Sequence, residues 1–198
     1  MSAPIRPRNV APLSAETLPL LVALAKVRTG ERVLDLGCSD SSLVDALTTA
    51  GFDAVGVTEC ADAVSDRVVL GSPEAGLPVE TDGAQLVIVR GTHAFRPTHL
   101  ADETYVGLAN VLANVSNEAT IAFPNHDERM IATLHRFGLK AAKTPLGKPV
   151  GLIGRLLGRK PKSLAEMIVA TLDGAPRTKL EYHGIAREAV VEQMRRAA

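Results

Sequence analysis

The sequence predicts an α/β domain: a doubly wound sheet of about seven mostly parallel strands, with an antiparallel last strand and helices on both faces. Three observations carry that prediction. From Val33 to Val57 the chain reads strand, tight turn, helix, turn, strand. Short apolar runs, the mark of strands buried on both faces, then alternate with stretches of helical spacing. A length of 198 residues suits one domain with a sizeable core.

Val33, Leu34 and Leu36 form the first strand, which ends at Gly37. Leu43, Val44, Leu47 and Ala50 recur at helical spacing, and Gly51 stops that helix because glycine enters the left-handed cap at no steric cost. Ala54 to Val57 make the second strand, parallel to the first across a crossover helix. Upstream, Ser14 is placed to cap a helix to about Arg28, with Leu20, Leu21, Leu24 and Val27 on one face. Leu18 to Ala25, with Arg6 and Arg8 before it, imitates an export signal, but Glu16 and Pro19 interrupt it and a helix packed on the sheet explains it better. Residues 1–12 are expected to form a mobile arm or flap, and 13–198 a single domain.

Downstream, Ala61 to Arg67 leave space for barely two helical turns before a third strand at Val68 to Leu70. Ala84 to Val89 make the fourth, central strand. Asp102 to Val115 read as a helix and Thr120 to Phe123 as the fifth strand. A helix follows from about Glu128 to Phe137, and a sixth strand begins over Leu139 to Lys143. Ser163 is placed to cap a helix through Leu172, Thr178 to His183 to form the final antiparallel strand, and Ala186 to Arg196 the last helix.

Net charge is zero, which favours neither nucleic acid nor membrane as the main partner, and aromatics at 3% with no Trp make a poor base-stacking platform. Two cysteines make no disulfide framework and suit a reducing, cytoplasmic setting. No paired Cys/His spacing suggests a metal, and no apolar run is long enough to span a bilayer. The neutral total hides a split. Residues 1–128 hold eight Lys/Arg and seventeen Asp/Glu, whereas 129–165 hold nine Lys/Arg and no acid. Within the basic part, 145–162 reads as a Gly/Pro-rich insertion carrying Val150, Leu152, Ile153, Leu156 and Leu157. It suits a lid, a loop that recruits the acidic groups of a substrate, a surface-seeking amphipathic segment, a surface for a protein partner or a second copy of the chain, or a basic loop covering the sheet.

Ligands of open α/β sheets bind outside the carboxyl ends of the strands, where strand order reverses. Gly37 lets the backbone turn sharply there, and the helix after it points free N–H groups at the same place. Glu59, after the second strand, is placed to take ribose hydroxyls. Cys38 and Cys60 follow neighbouring strands, either at the pocket rim or as small buried hydrophobes. Arg90-Gly91-Thr92-His93 ends the fourth strand, and His93 is a general-base candidate or a partner for a loop carbonyl. Asn125 and His126 end the fifth, where they orient a substrate or cap the next helix.

Asp35-Leu36-Gly37-Cys38-Ser39-Asp40-Ser41, with Val33-Leu34 before it, resembles the first motif of class I S-adenosylmethionine-dependent methyltransferases, a Rossmann-like family whose motif runs Asp/Glu-x-Gly-x-Gly-x-Gly. Ser39 and Ser41 replace two of its glycines. Thr58 stands where the family's second-strand acid is commonest, with Glu59 one place later. Leu77-Pro78 is retained, but Ser72 replaces the Asp that follows Gly71 near the adenine, with Glu74 a candidate to compensate. Phe123-Pro124-Asn125, together with Asp35-Leu36-Gly37-Cys38, resembles the methyltransferase-like proteins associated with methionine biosynthesis.

The resemblance implies S-adenosyl-L-methionine as cofactor, bound by Asp35, Gly37, Cys38, Ser39, Glu59, Ser72 and Arg90. It implies a small-molecule acceptor, toward which the strand-end residues His93 and His126 are catalytic candidates and Asn125 a substrate contact. The replaced glycines, Ser72 and the trimmed segment after Cys60 also suit a chain that keeps the fold as a binding or regulatory partner without turnover. A nicotinamide dehydrogenase would want Gly-x-Gly-x-x-Gly in the first turn, and Gly37-x-Ser39-x-x-Ser42 keeps one of those glycines.

Overall fold

A computed structural model describes residues 13, 17–78, 81–91, 95, 101–124, 128–147, 163–172 and 177–197. The arm 1–12, Ser14, His93, Asn125, His126 and most of the 145–162 segment lie outside the described residues. Seven strands form one sheet: β1 (Arg32–Leu36), β2 (Asp53–Thr58), β3 (Val68–Leu70), β4 (Ala84–Val89), β5 (Val115–Phe123), β6 (Leu139–Gly147) and β7 (Ser163–Leu172). Their spatial order is β3-β2-β1-β4-β5-β7-β6. β3, β2, β1, β4 and β5 are mutually parallel, and β7 alone runs opposite, hydrogen-bonded to β5 on one side and β6 on the other. The order reverses between β1 and β4, so the carboxyl ends of those two strands flank the crevice.

Helices cover both faces. On one, α1 (Leu18–Leu24) and α2 (Ser42–Thr49) bury Leu21, Leu43, Val44 and Leu47 against Val33, Ala54, Leu86 and Ile88. On the other, α3 (Ala101–Asn114), α4 (Arg129–Arg136) and α5 (Lys179–Ala197) pack on Leu34, Leu36, Val87 and Val89 through Leu108, Leu112, Leu134, Tyr182 and Ala186. The alternation along β1 is thus resolved by face, with Val33 and Asp35 on the α1/α2 side and Leu34 and Leu36 opposite.

Several expectations are corrected. The segment Ser163–Leu172 is not a helix but strand β7. Met167, Ile168 and Ala170 are all buried, so the run is apolar on both faces and its spacing does not distinguish helix from strand. Ser163 and Glu166 stand at capping-box spacing and so imitate a helix start. Conversely, Thr178–His183 is not the last strand but the start of α5. The hydroxyl of Thr178 accepts the Glu181 N–H at 3.3 Å and the Glu181 carboxylate accepts the Thr178 N–H at 2.6 Å, a true capping box.

Helix α1 stops at Leu24, short of Arg28, because Lys26 adopts a left-handed φ of +54° that turns the chain toward β1. Helix α3 ends at Asn114, and β5 begins at once at Val115 rather than at Thr120. A register shift opposite Ala84 to Leu86 absorbs the extra residues. Strand β6 runs on to Gly147, taking Pro145 to Gly147 out of the expected insertion. The segment after Cys60 is a single 3₁₀ turn, Ala61–Ala63. Among the described residues no helix is long and apolar enough to cross a membrane.

Candidate functional site

Leu36 pairs with both Val57 and Val89, so β1, β2 and β4 deliver their carboxyl ends to one level. Gly37 follows β1 with φ +78°, a region closed to most side chains. Its N–H and that of Cys38 both donate to the carbonyl of Val57, at 2.8 and 3.3 Å, which folds the turn onto the end of β2. Thr58 locks the same junction. Its buried hydroxyl donates to the Cys38 carbonyl at 2.8 Å and accepts the Cys60 N–H at 3.1 Å. A Thr in the place of the family acid therefore braces the turn internally, a role that no spacing in the sequence announced.

Cys38 is 3% exposed beneath the turn, and its thiol donates to the Val57 carbonyl at 3.4 Å. Burial first, and the charge of Asp35 second, push this thiol up to about 11. Cys60 is exposed, so of the two cysteines only Cys38 is the small buried hydrophobe. Beneath them Gly56 makes the junction possible. A Cβ there would sit 2.9 Å from Val68 Cγ2 and 3.0 Å from Cys38 Sγ.

The start of α2 is capped from one residue early. The Asp40 carboxylate accepts the Ser42 N–H at 3.0 Å and also the Ser42 hydroxyl. These bonds hold its carboxyl below the usual carboxylate range. Ser41 instead donates to Asp45 at 2.7 Å, and the exposed Ser39 hydroxyl lies 3.4 Å from Asp40. The two serines that replace the expected glycines are thus engaged with acids at the mouth of the turn.

The second site element is an ion pair. Arg90, just past β4, folds back over β1 and donates to both oxygens of Asp35, from Nε at 2.8 Å and from Nη2 at 2.5 Å. Asp35 has no exposed side-chain surface, and Arg90 keeps 22%. Burial pushes the Asp35 carboxyl above its ordinary range against the opposing pull of Arg90. For Arg90 burial acts downward, but the bond and charge of Asp35 outweigh it, and the arginine holds its proton more firmly than usual. The pair ties the two strands together at the point where their order reverses.

The third element is a cavity of about 470 Å³ at the ends of β2 and β3, lined by Glu59, Leu70, Gly71, Ser72, Glu74 and Ala75. Ser72 accepts the Ala75 N–H at 3.2 Å, a bond that shapes the loop at the cavity wall. The Pro73 carbonyl is anchored by Asn110 Nδ2 at 2.7 Å. Glu74 is the residue of interest here: its Oε2 is buried with no hydrogen-bond partner among the described residues. An orphaned carboxylate oxygen in a cavity wall can accept a donor from a water or from a ligand. Of the sequence-predicted residues, the structure gathers Asp35, Gly37, Cys38, Ser39 and Arg90 at the crevice and Glu59 and Ser72 at the adjoining cavity. His93, Asn125 and His126 lie outside the described residues. No group of His, Cys, Asp and Glu among the described residues is arranged to hold a metal.

The model of one protein family, methionine biosynthesis protein MetW, matches residues 19–134. No curated protein sequence matches. Among solved structures, the chain is similar to a TehB-like S-adenosylmethionine-dependent methyltransferase from Corynebacterium glutamicum, with 14% identity, TM-score 0.54, and 78% of this chain and 86% of that one covered. It is similar to a chain in the complex between the Haloferax volcanii Trm112 methyltransferase activator and a methyltransferase, with 13% identity, TM-score 0.54, and 80% and 90% covered. It is also similar to the plantazolicin methyltransferase BpumL, solved with a triazolic desmethylPZN analog and SAH, with 12% identity, TM-score 0.51, and 82% and 84% covered. At these identities the likeness is one of fold.

Proposed function

The chain belongs to the family of methionine biosynthesis protein MetW, and on that premise we propose that it is a methyltransferase that uses S-adenosyl-L-methionine and acts on a small-molecule acceptor. The observation that carries this reading is the cavity at the ends of β2 and β3, lined by Glu59 and by Glu74, whose buried oxygen has no partner among the described residues. An adenosine fits that chemistry, since ribose hydroxyls and an exocyclic amine are donors that carboxylates accept. The residues that would hold the cofactor are Glu59 and Glu74 at its nucleoside, and Gly37, Cys38 and Ser39 at the turn. When bound, the sulfonium supplies an activated methyl group. Transfer from it asks little acid–base work of the protein, so the chain's task is to align donor and acceptor and to exclude water. The acidic surroundings of the crevice, with Asp40, Glu59 and Glu74, favour a cationic ligand over its neutral product. His93, Asn125 and His126 follow β4 and β5 in sequence and are proposed to face the acceptor.

A second reading, a binding or regulatory partner without turnover, is favoured by one feature of α5. Leu180, Val191 and Met194 are 82%, 41% and 70% exposed, an apolar surface that a partner protein would cover. Calorimetric titration with S-adenosylmethionine and S-adenosylhomocysteine separates the readings. Micromolar binding, abolished in Gly37→Val and weakened in Glu59→Ala, is expected for the enzyme. Absence of heat and of any thermal shift at millimolar ligand would sink it.

A further inference from the structure

Helix α5 is apolar on two opposite sides. One side buries Tyr182 and Ala186 in the core, with Ile185 and Ala189 packed beside them. On the other, Leu180, Gly184, Arg187, Val191 and Met194 recur at alternating spacings of four and three residues, the seam along which two helices pack. Leu180, Val191 and Met194 are exposed there. A surface groove of about 600 Å³ runs along this side, lined by Gly184, Arg187, Glu188, Val191, Glu192 and Arg195. Gly184 is its notch. Its φ is not left-handed, and a Cβ added to it would meet nothing within 4 Å, so nothing among the described residues asks for glycine. A glycine inside a helix weakens that helix relative to alanine, and what it offers in return is close approach by a second backbone.

The charges along the groove select its occupant. Arg187 and Arg195 alternate with Glu188 and Glu192, so the surface is neutral in sum and matches neither an acidic nor a basic partner, but it is complementary to itself. Glu192 meets Arg196 at 3.3 Å, whereas Arg187, Glu188 and Arg195 have no ion-pair partner among the described residues. A copy related by a two-fold axis beside Arg187 and Glu188, with its helix antiparallel, sets Arg187 of each chain against Glu188 of the other. The same axis sets the Gly184 notch of each chain against Val191 of the other. A parallel copy would instead stack Arg187 on Arg187. We propose that this face of α5 is an isologous interface and that its occupant is a second copy of this chain, packed antiparallel. The interface lies outside the crevice and the cavity, and it holds whether or not the chain turns over a cofactor. One helix pair is a small contact, so the dimer is expected to be weak, with a dissociation constant in the micromolar range.

Analytical ultracentrifugation of the full chain over a concentration series tests it. The wild type is expected to pass from monomer to dimer as concentration rises. Arg187→Glu and Glu188→Arg each place like charges across the axis, and each is expected to weaken association at least about tenfold. An equimolar mixture of those two variants sets opposite charges across the axis again and is expected to restore the dimer. Gly184→Gln fills the notch and is expected to weaken the dimer by a similar factor. Urea denaturation at concentrations where the chain is monomeric is expected to find that variant no less stable than the wild type, because its side chain enters open space. A wild-type chain that stays monomeric to submillimolar concentration overturns the second copy and leaves this face to a different protein. A dimer indifferent to Arg187→Glu or to Gly184→Gln is held elsewhere and overturns the interface. A dimer that both charge variants weaken and their mixture does not restore overturns the antiparallel two-fold arrangement. Should Gly184→Gln prove less stable, the two charge variants and their mixture decide alone.

Discussion

The two halves of the sheet are built differently. From β3 through β4 the strands are parallel, each crossover is short, and the junctions are made by local devices: Gly37 at φ +78°, Gly51 at +91°, the Asp40 cap and the Thr58 brace. From β5 through β6 the architecture depends on β7 being inserted antiparallel between two strands that come before it in sequence. The first half carries acids at its carboxyl edge and the candidate site. The second carries exposed cations such as Lys140 and Lys143. What the difference teaches is where information resides: in the first half each turn is specified by its own residues, and in the second a strand is specified by its neighbours.

The largest expected effect breaks the first half at its centre. Arg90→Ala leaves the Asp35 carboxylate buried without its partner and should cost about 3–5 kcal/mol in urea denaturation. Asp35 has a folded pKa raised above its unfolded value, so its contribution to stability is present below the unfolded pKa and lost as pH rises through the folded one. Acidification from neutral toward the carboxylate range should therefore recover part of the loss in that variant, and a deficit that does not shrink on acidification would contradict the buried charge as its cause.

In the second half, Ile168→Ala removes a side chain that is 1% exposed between β5 and β6 and should cost roughly 2–5 kcal/mol. A loss under about 1 kcal/mol would mean that β7 is not the inner strand of its sheet half. Back in the first half, Gly56→Ala forces a Cβ into contacts of 2.9 and 3.0 Å and should cost about 1–3 kcal/mol by overpacking. That variant should also speed labelling of Cys38, whose sulfur is one of the atoms displaced. In the wild type at pH 8 one thiol, Cys60, should react readily. Cys38 should respond only as pH approaches about 11, because the folded chain keeps it protonated. The smallest effect joins the two halves. Lys179 at the start of α5 meets Asp82 before β4 at 3.0 Å, both partly exposed, and Lys179→Met should change stability by under about 0.5 kcal/mol.

The candidate site was partly legible. The Asp35-Leu36-Gly37 run and the apolar strands marked the crevice, because a glycine at a left-handed turn and a strand buried on both faces each leave a local signature. Glu59 was placed by its distance from a strand end, and Ser72 by the resemblance of its loop. The Asp35–Arg90 pair was not legible, since its members are 55 residues apart and only adjacency of β1 and β4 brings them together. Glu74 stood in the sequence as a loop acid two places after Ser72, able to compensate for the missing Asp. What makes it of interest is a buried oxygen with no partner among the described residues, which is a property of the walls around it.

By itself the sequence determined the fold class, the first four strands, the helix between β1 and β2 and the position of the crevice, because hydrophobic period, glycine stereochemistry and turn residues act within a few residues of where they stand. The tertiary structure alone decided that Ser163–Leu172 is a strand and Thr178 the cap of a helix. An apolar segment covered on both sides has no face to reveal, and its conformation follows from which surfaces remain to be paired.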